Sequence, residues 1–436
     1  MNLNKTIGLL MVIVLGLLIA GPKLGALSDQ SLLVVKAAPP GQEPTGELED
    51  EGEADDDSQG EDEDETGDVD AGDGAEENVE GDTGGEDVAD EEAAADEAAA
   101  DEADELVIDE ARFASDRLEG RFCSATAQVQ FKACRDESRV DFLTALAVCL
   151  NIADEAARQN CWTEAQAGRQ EDRQLCREQR QARQELCQAL GEAPYNPGFD
   201  PATFDSDFNN LTTPNPYLPL ALGYRWQYVG GDEIVTIEVR PETKLIAGVT
   251  CLVVNDVVSV AGQVVEDTDD WLAQAQNGDV YYCGEEVKDF EYFGGDNPLL
   301  PELTSIDGSF KAGRDGDKAG LLLPQSPVAG QVFRQEWSPG KAEDTVEVLA
   351  TSYRFGLDPD LDQFVPPALA EQVCAAADCL VTRDFTPLEP DALEYKYYAA
   401  GIGRFLEVNR ATGEIVQLVS CNVDPRCETL SAPEGE

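Results

Sequence analysis

CSATAQVQFKACRDESRVDFLTALAVCLNIADEAARQNCWTEAQAGRQEDRQLCREQRQARQELC, residues 123–187, carries six cysteines whose spacing decides the fold. Cys123, Cys134, Cys149, Cys161, Cys176 and Cys187 are separated by 11, 15, 12, 15 and 11 residues, a palindrome centred on residue 155. Antiparallel neighbours require such symmetry, because a step forward on one element meets a step backward on the other. An advance of 11 residues in a helix is three turns plus about 20°, and 15 residues is four turns plus about 60°, so three cysteines share one face. Leu118, Phe122, Val129, Leu143, Ala147 and Leu150 recur near helical spacing around them. The second arm, Glu155 to Leu190, is rich in Gln, Arg, Glu and Ala, with Gly168 its weak point. Asn151 can end the first helix and Asp154 can cap the second.

The expected structure over 107–190 is a helical hairpin with a nested ladder, Cys123–Cys187, Cys134–Cys176 and Cys149–Cys161. Six cysteines permit 15 pairings, and only the nested one fits the palindrome. The small neighbours Ala125, Ala133 and Ala165 would admit the close approach that a disulfide demands. Rungs separated by several turns cannot converge on one metal ion, and no C-x-x-C occurs. The architecture resembles the twin-cysteine hairpins of the coiled-coil-helix-coiled-coil-helix type, with three pairs and longer gaps.

Outward from the hairpin, charge divides the chain. The 436 residues hold 89 Asp and Glu, 30 Lys and Arg and no histidine, for a net charge of −59. Lack of imidazole removes Ser-His-Asp and Cys-His catalysis and His-ligated zinc. So acidic a chain excludes nucleic acid and anionic membrane surfaces as partners. Residues 41–110 hold 34 acids and no base, whereas 111–190 balance 12 of each. The segment 27–106 is therefore expected to be an acidic disordered stretch. Before it, Lys5 and the apolar run Ile7–Gly21 read as a signal peptide over 1–26. An uncleaved N-terminal membrane anchor is the alternative. Twelve cysteines and an export signal place the protein in an oxidising compartment, secreted or periplasmic in the cell envelope.

Beyond the hairpin, 191–216 reads as a Pro- and Asn-rich linker, 217–421 as an antiparallel β domain and 422–436 as a C-terminal tail. Short runs of β-branched and aromatic residues (225–230, 233–240, 250–260, 269–276, 278–287, 331–339, 345–355, 380–388, 393–401, 402–410 and 414–420) alternate with turn signals such as Gly230-Gly231 and Asn277-Gly278. One short helix is expected at PPALAEQVCAAA. The fold class is α+β and multidomain: a disulfide-laddered antiparallel helical hairpin, then an antiparallel β barrel or half-barrel. Cys251 and Cys283 should pair across strands, and Cys374–Cys379 and Cys421–Cys427 should close local loops, with a free reactive thiol the alternative for each.

The strings DDWLAQAQNGDVYYCGEE, DFTPLEPDALEYKYYAAGIGRFLEV and GYRWQYVGGDE resemble a group of uncharacterised exported bacterial proteins, in which W-x-A-Q…G-x-V-x-Y-x-G-E and K-Y-Y-A-P-G-V-G recur. The resemblance spans roughly 195–420 and implies no activity. Ala400 stands where that group has Pro, and Cys283 where it has an aromatic residue. In shape the domain is similar to lipoprotein-carrier half-barrels.

Asp358, Asp360 and Asp362 in GLDPDLDQF stand at alternate positions, as in a calcium loop, but Gln363 replaces the expected Gly and Leu369 the twelfth-position Glu, so an acidic surface loop is the better reading. Asp315 and Asp317 are a weaker version of the pattern. Carboxylate catalysis would fall to Asp269-Asp270 and Glu285-Glu286, pairs that point to opposite faces of a strand. Of Tyr281-Tyr282 and Tyr397-Tyr398, one member each should be core and the other surface. The composite expectation is an exported non-catalytic envelope or secreted protein whose β domain binds a small apolar ligand or a protein partner. A calcium-dependent structural or matrix protein is one alternative, and a carboxylate-based glycoside hydrolase another.

Overall fold

The computed structural model describes residues 120–430. The expected signal peptide, the acidic segment, residues 107–119 of the hairpin and the last six residues lie outside the described residues. Two helices form the hairpin: α1, Phe122–Leu150, and α2, Glu155–Leu190. At the end of α1 the Asn151 N–H donates to Val148 O and the Ile152 N–H to Cys149 O, and Asp154 caps α2 by accepting the Ala157 N–H. Cys123–Cys187, Cys134–Cys176 and Cys149–Cys161 join the helices with Cα atoms 5.6, 5.7 and 5.5 Å apart, well inside the spacing of about 8–10 Å at which helices usually pack. The expected apolar face is only partly used. Ala127, Phe131 and Ser138 are buried, whereas Leu143, Ala147 and Leu150 are exposed. Covalent rungs replace an apolar seam here, so side chains near the turn have nothing to pack against.

From Arg225 onward the chain turns to strand. The first five are β1 (Arg225–Gly230), β2 (Glu233–Ile246), β3 (Val249–Val260), β4 (Gln263–Gln274) and β5 (Val280–Glu286). β6 (Asp289–Glu291) and β7 (Glu302–Ser305) leave the main sheet beside β4. β8 (Lys318–Leu323), β9 (Val332–Arg334), β10 (Glu336–Trp337) and β11 (Thr345–Tyr353) follow. After the short helix α3 (Pro367–Val373) come β12 (Cys379–Phe385), β13 (Leu393–Ala399), β14 (Gly403–Asn409) and β15 (Ile415–Cys421).

All pairings are antiparallel, and the spatial order is β10-β8-β5-β4-β3-β2-β1-β15-β14-β13-β12-β11-β9. The two ends of this order are halves of one strand interrupted at Gln335. β10 pairs with β8 and β9 with β11, so residues 332–337 bring the sheet round into a nearly closed barrel. Gln335 fastens the seam: its N–H donates to Asp344 O and its side-chain amide to Leu322 O. Gly320 on β8 faces it so closely that a Cβ there would lie 1.8 Å from Gln335 O. Short strands at 289–291, 302–305 and 318–323 are additions to the strands read from sequence, and the expected strand at 269–276 is the end of the longer β4.

The pieces expected to be separate are sewn together. Arg183 of α2 makes a bidentate buried pair with Glu343, both bonds 2.8 Å, and Gln179 donates to Leu388 O. The expected linker belongs to the β domain: Asn215 donates to Gly278 O and Leu323 O, and Phe204 bridges to Ala275. The expected tail is likewise integral as far as residue 430. Arg426 donates to Val373 O and Ala400 O, and Cys427 is buried in its bond to Cys421. Cys251–Cys283 and Cys374–Cys379 complete the disulfides, leaving no free thiol. Among the described residues no helix is long and apolar enough to cross a membrane.

Candidate functional site

Alternation along barrel strands sends every second side chain inward. In one part of this barrel those side chains are charged. β3 contributes Asp256, β4 Glu266, Thr268 and Asp270, and β5 Tyr282 and Glu285. β10 adds Glu336, β12 Thr382 and Asp384, β13 Glu394 and Lys396, and β14 Arg404 and Glu407; none of the thirteen is more than 7% exposed. Strand register sets Asp256 opposite Thr268, Asp270 opposite Glu285, Asp384 opposite Glu394 and Lys396 opposite Glu407.

Two cations face eight carboxyl groups. Lys396 Nζ lies 3.2 Å from Asp384 Oδ2 and 3.9 Å from both Glu394 and Glu407. Arg404 donates to Glu407 at 2.5 Å and holds its guanidinium 4.5 Å above the Tyr228 ring. Elsewhere in the layer, Tyr282 Oη sits 2.5 Å from Asp270 Oδ1 and 2.9 Å from Glu285 Oε2. One phenol proton cannot serve two carboxylates, so this contact is complete only when one acid is protonated. Burial, then Glu336 and Asp270, hold the Glu285 carboxyl well above its ordinary range, and burial does the same to Asp270. Burial also lifts Asp256 to about 7, with Arg404 opposing it, and lifts Asp344 to about 7.

Such a set of carboxyls and a phenol could move protons in an open cleft. Here the barrel wall encloses it, away from solvent. Asp270 and Glu285, each from a pair singled out in the sequence, come together, while Asp269 and Glu286 point to the other face. Trp271 also faces outward, with the Lys244 ammonium 3.4 Å from its ring centre. Sequence reasoning missed Asp256, Glu266, Glu336, Asp384, Glu394, Lys396, Arg404 and Glu407. The signal available was polar residues at i and i+2 within strands whose intervening residues are also bulky, as in Glu394-Tyr395-Lys396-Tyr397.

The aspartates of 358–362 form the acidic surface loop that is the better reading of their sequence. Asp358 spends its carboxylate on the Asp360 N–H, and Asp362 accepts from the Tyr353 hydroxyl and the Gly356 N–H. These are the bonds of a turn, and the three carboxylates do not converge. Asp317 is buried and accepts from Ser338. Among the described residues no group of three or more acidic or cysteine side chains is placed to hold a metal ion. The tyrosine expectation is met only in part by Tyr281-Tyr282, since Tyr282 is buried while Tyr281 is half-buried against Phe199 and Phe204, and it fails for Tyr397-Tyr398, both buried, where Tyr397 donates to Leu361 O.

The outer surface offers two contrasts. An open depression at the β1–β15 seam is lined by Arg225, Gln227, Ser420, Cys421 and Asn422, a polar set. The flap made by β6, β7 and their connection exposes Phe293, Leu299, Leu300, Leu303 and Ile306, each with 42–60% of its surface open to solvent. The whole is thus a disulfide-stapled helical hairpin fixed to an antiparallel, nearly closed barrel with a buried acidic layer. Comparison with protein families, curated proteins and solved structures found no match to this chain.

Proposed function

We propose that this chain is an exported bacterial protein of the envelope or the secreted fraction, without catalytic activity, whose β domain binds a protein partner. The flap carries the reading: five large apolar side chains stand exposed within fourteen residues of a chain whose net charge is −59. Contiguous exposed apolar surface on a soluble domain marks an interaction site. Six disulfides support an oxidising compartment, and the apolar run near the N-terminus supports export. A small apolar ligand is less well supported, because the barrel interior brings charged and hydrogen-bonding groups together and the depression at the seam is polar. The test is a photo-reactive residue placed at Leu300 in the full chain, expressed in its own host. A discrete cross-linked polypeptide is expected from Leu300 and not from Leu245, which is more open but lies on β2. Equal labelling from both positions, or none from Leu300, overturns the reading.

A further inference from the structure

β4 serves two neighbours. Its residues 269–274 pair with β5 and continue the barrel, whereas Glu266 pairs with Asp289 of β6, and β6 pairs with β7. The sheet therefore branches, and the branch ends at β7, whose far edge has no strand beside it among the described residues. A free edge presents unpaired N–H and C=O groups, the template on which another chain can add a strand. Apolar side chains flank that template, and acids are interspersed among them. Residues 289–310 contain Asp289, Glu291, Asp296, Glu302 and Asp307 and no Lys or Arg.

These features select one occupant. A second copy of this chain would bring the four exposed acids, Glu291, Asp296, Glu302 and Asp307, against their equals, on molecules of −59 each, so the charges act against self-pairing as edge-strand charges commonly do. The geometry points to an extended segment of a partner protein, alternating apolar and basic residues, that adds to the free edge of β7. Its main chain would complete the ladder, its apolar side chains would cover Leu300 and Leu303, and its Lys or Arg side chains would meet Glu302. This rests on the reading of the β domain as a partner-binding module and specifies that partner's chemistry.

The probe is a short synthetic peptide of alternating lysine and valine, titrated into the full oxidised chain at moderate salt. Fluorescence anisotropy gives affinity, and hydrogen exchange gives location. Binding is expected, with new protection at Leu303–Ser305. Prolines in place of alternate valines, or Leu300→Asp with Leu303→Asp in the protein, should each weaken it by at least about tenfold. Both leucines are exposed, so these substitutions leave the fold in place. Equal binding of the proline-bearing peptide, or binding that survives the two substitutions, means diffuse attraction to an acidic protein and overturns strand addition. If a glutamate–valine peptide binds instead, with the same dependence on both leucines, the flap remains a docking surface and the assigned basic partner is wrong. Absence of binding by every peptide overturns the inference.

Discussion

Replacing Asp256 by Asn tests whether the barrel interior is built to hold protons. The carboxyl is buried on β3 opposite Thr268, its Oδ1 has no hydrogen-bond partner, and its pKa lies at about 7 instead of 3.8. A raised folded-state value for an acid means that the native state keeps a proton the unfolded chain releases. The associated stability is complete below about pH 4 and is lost as pH rises towards 7, above which the loss is constant. Three units at about 1.36 kcal/mol each make that loss about 4 kcal/mol. Asn has the same shape and cannot ionise. Asp256→Asn should therefore match the parent near pH 4 and exceed its stability by about 3–4 kcal/mol near pH 8. Arg404 keeps Glu407 as its partner in either case. Urea denaturation followed by tryptophan fluorescence, without reductant and across that pH range, reads the difference directly. A difference that does not vary with pH, or a variant weaker than the parent at pH 8, refutes the reasoning.

Gly320→Ala should prevent closure of the barrel or cost at least about 3 kcal/mol, since the new methyl group meets Gln335 O, an atom held by the backbone; the yield of folded protein and the denaturation midpoint check it. Arg183→Met alone should cost about 3–5 kcal/mol by stranding Glu343, while Arg183→Met with Glu343→Leu should be close to neutral, a contrast that a double-mutant cycle measures. Non-reducing peptide mapping should recover Cys123 joined to Cys187, Cys134 to Cys176 and Cys149 to Cys161, and any other partner for Cys123 contradicts the ladder. Cys149→Ser with Cys161→Ser opens a loop of 12 residues and should cost about 3 kcal/mol, leaving the other two rungs formed.

The hairpin was legible because pairing along a rod is one-dimensional: cysteines equidistant from a turn must meet, whatever surrounds them. Strand positions were legible from their turns and β-branched runs, and closure into a barrel from their number. The seam was not, because it depends on Gln335 and Gly320 meeting from strands that nothing in the sequence marks as neighbours. The acidic layer escaped for a related reason. In a chain with 89 acids, an inward Asp270 and an outward Asp269 look alike until the register of β4 and β5 is known. The aspartates of 358–362 were ambiguous in the opposite direction, since the alternation that suggests a calcium loop also suits a chain of side-chain-to-backbone turns.

Because β1 pairs with β15, the earliest and latest strands of the domain are neighbours, and a polypeptide emerging N-terminus first cannot finish its barrel until the final strand has arrived. The hairpin can oxidise long before that moment. On the proposed export, assembly would follow the order of the chain: the rod could be stapled while later strands are still in transit, and the Cys421–Cys427 clasp would be the last cross-link whose thiols reach the oxidant. A chain cut short before Ile415 would carry a finished rod and an open sheet, with the edge of β1 left uncovered.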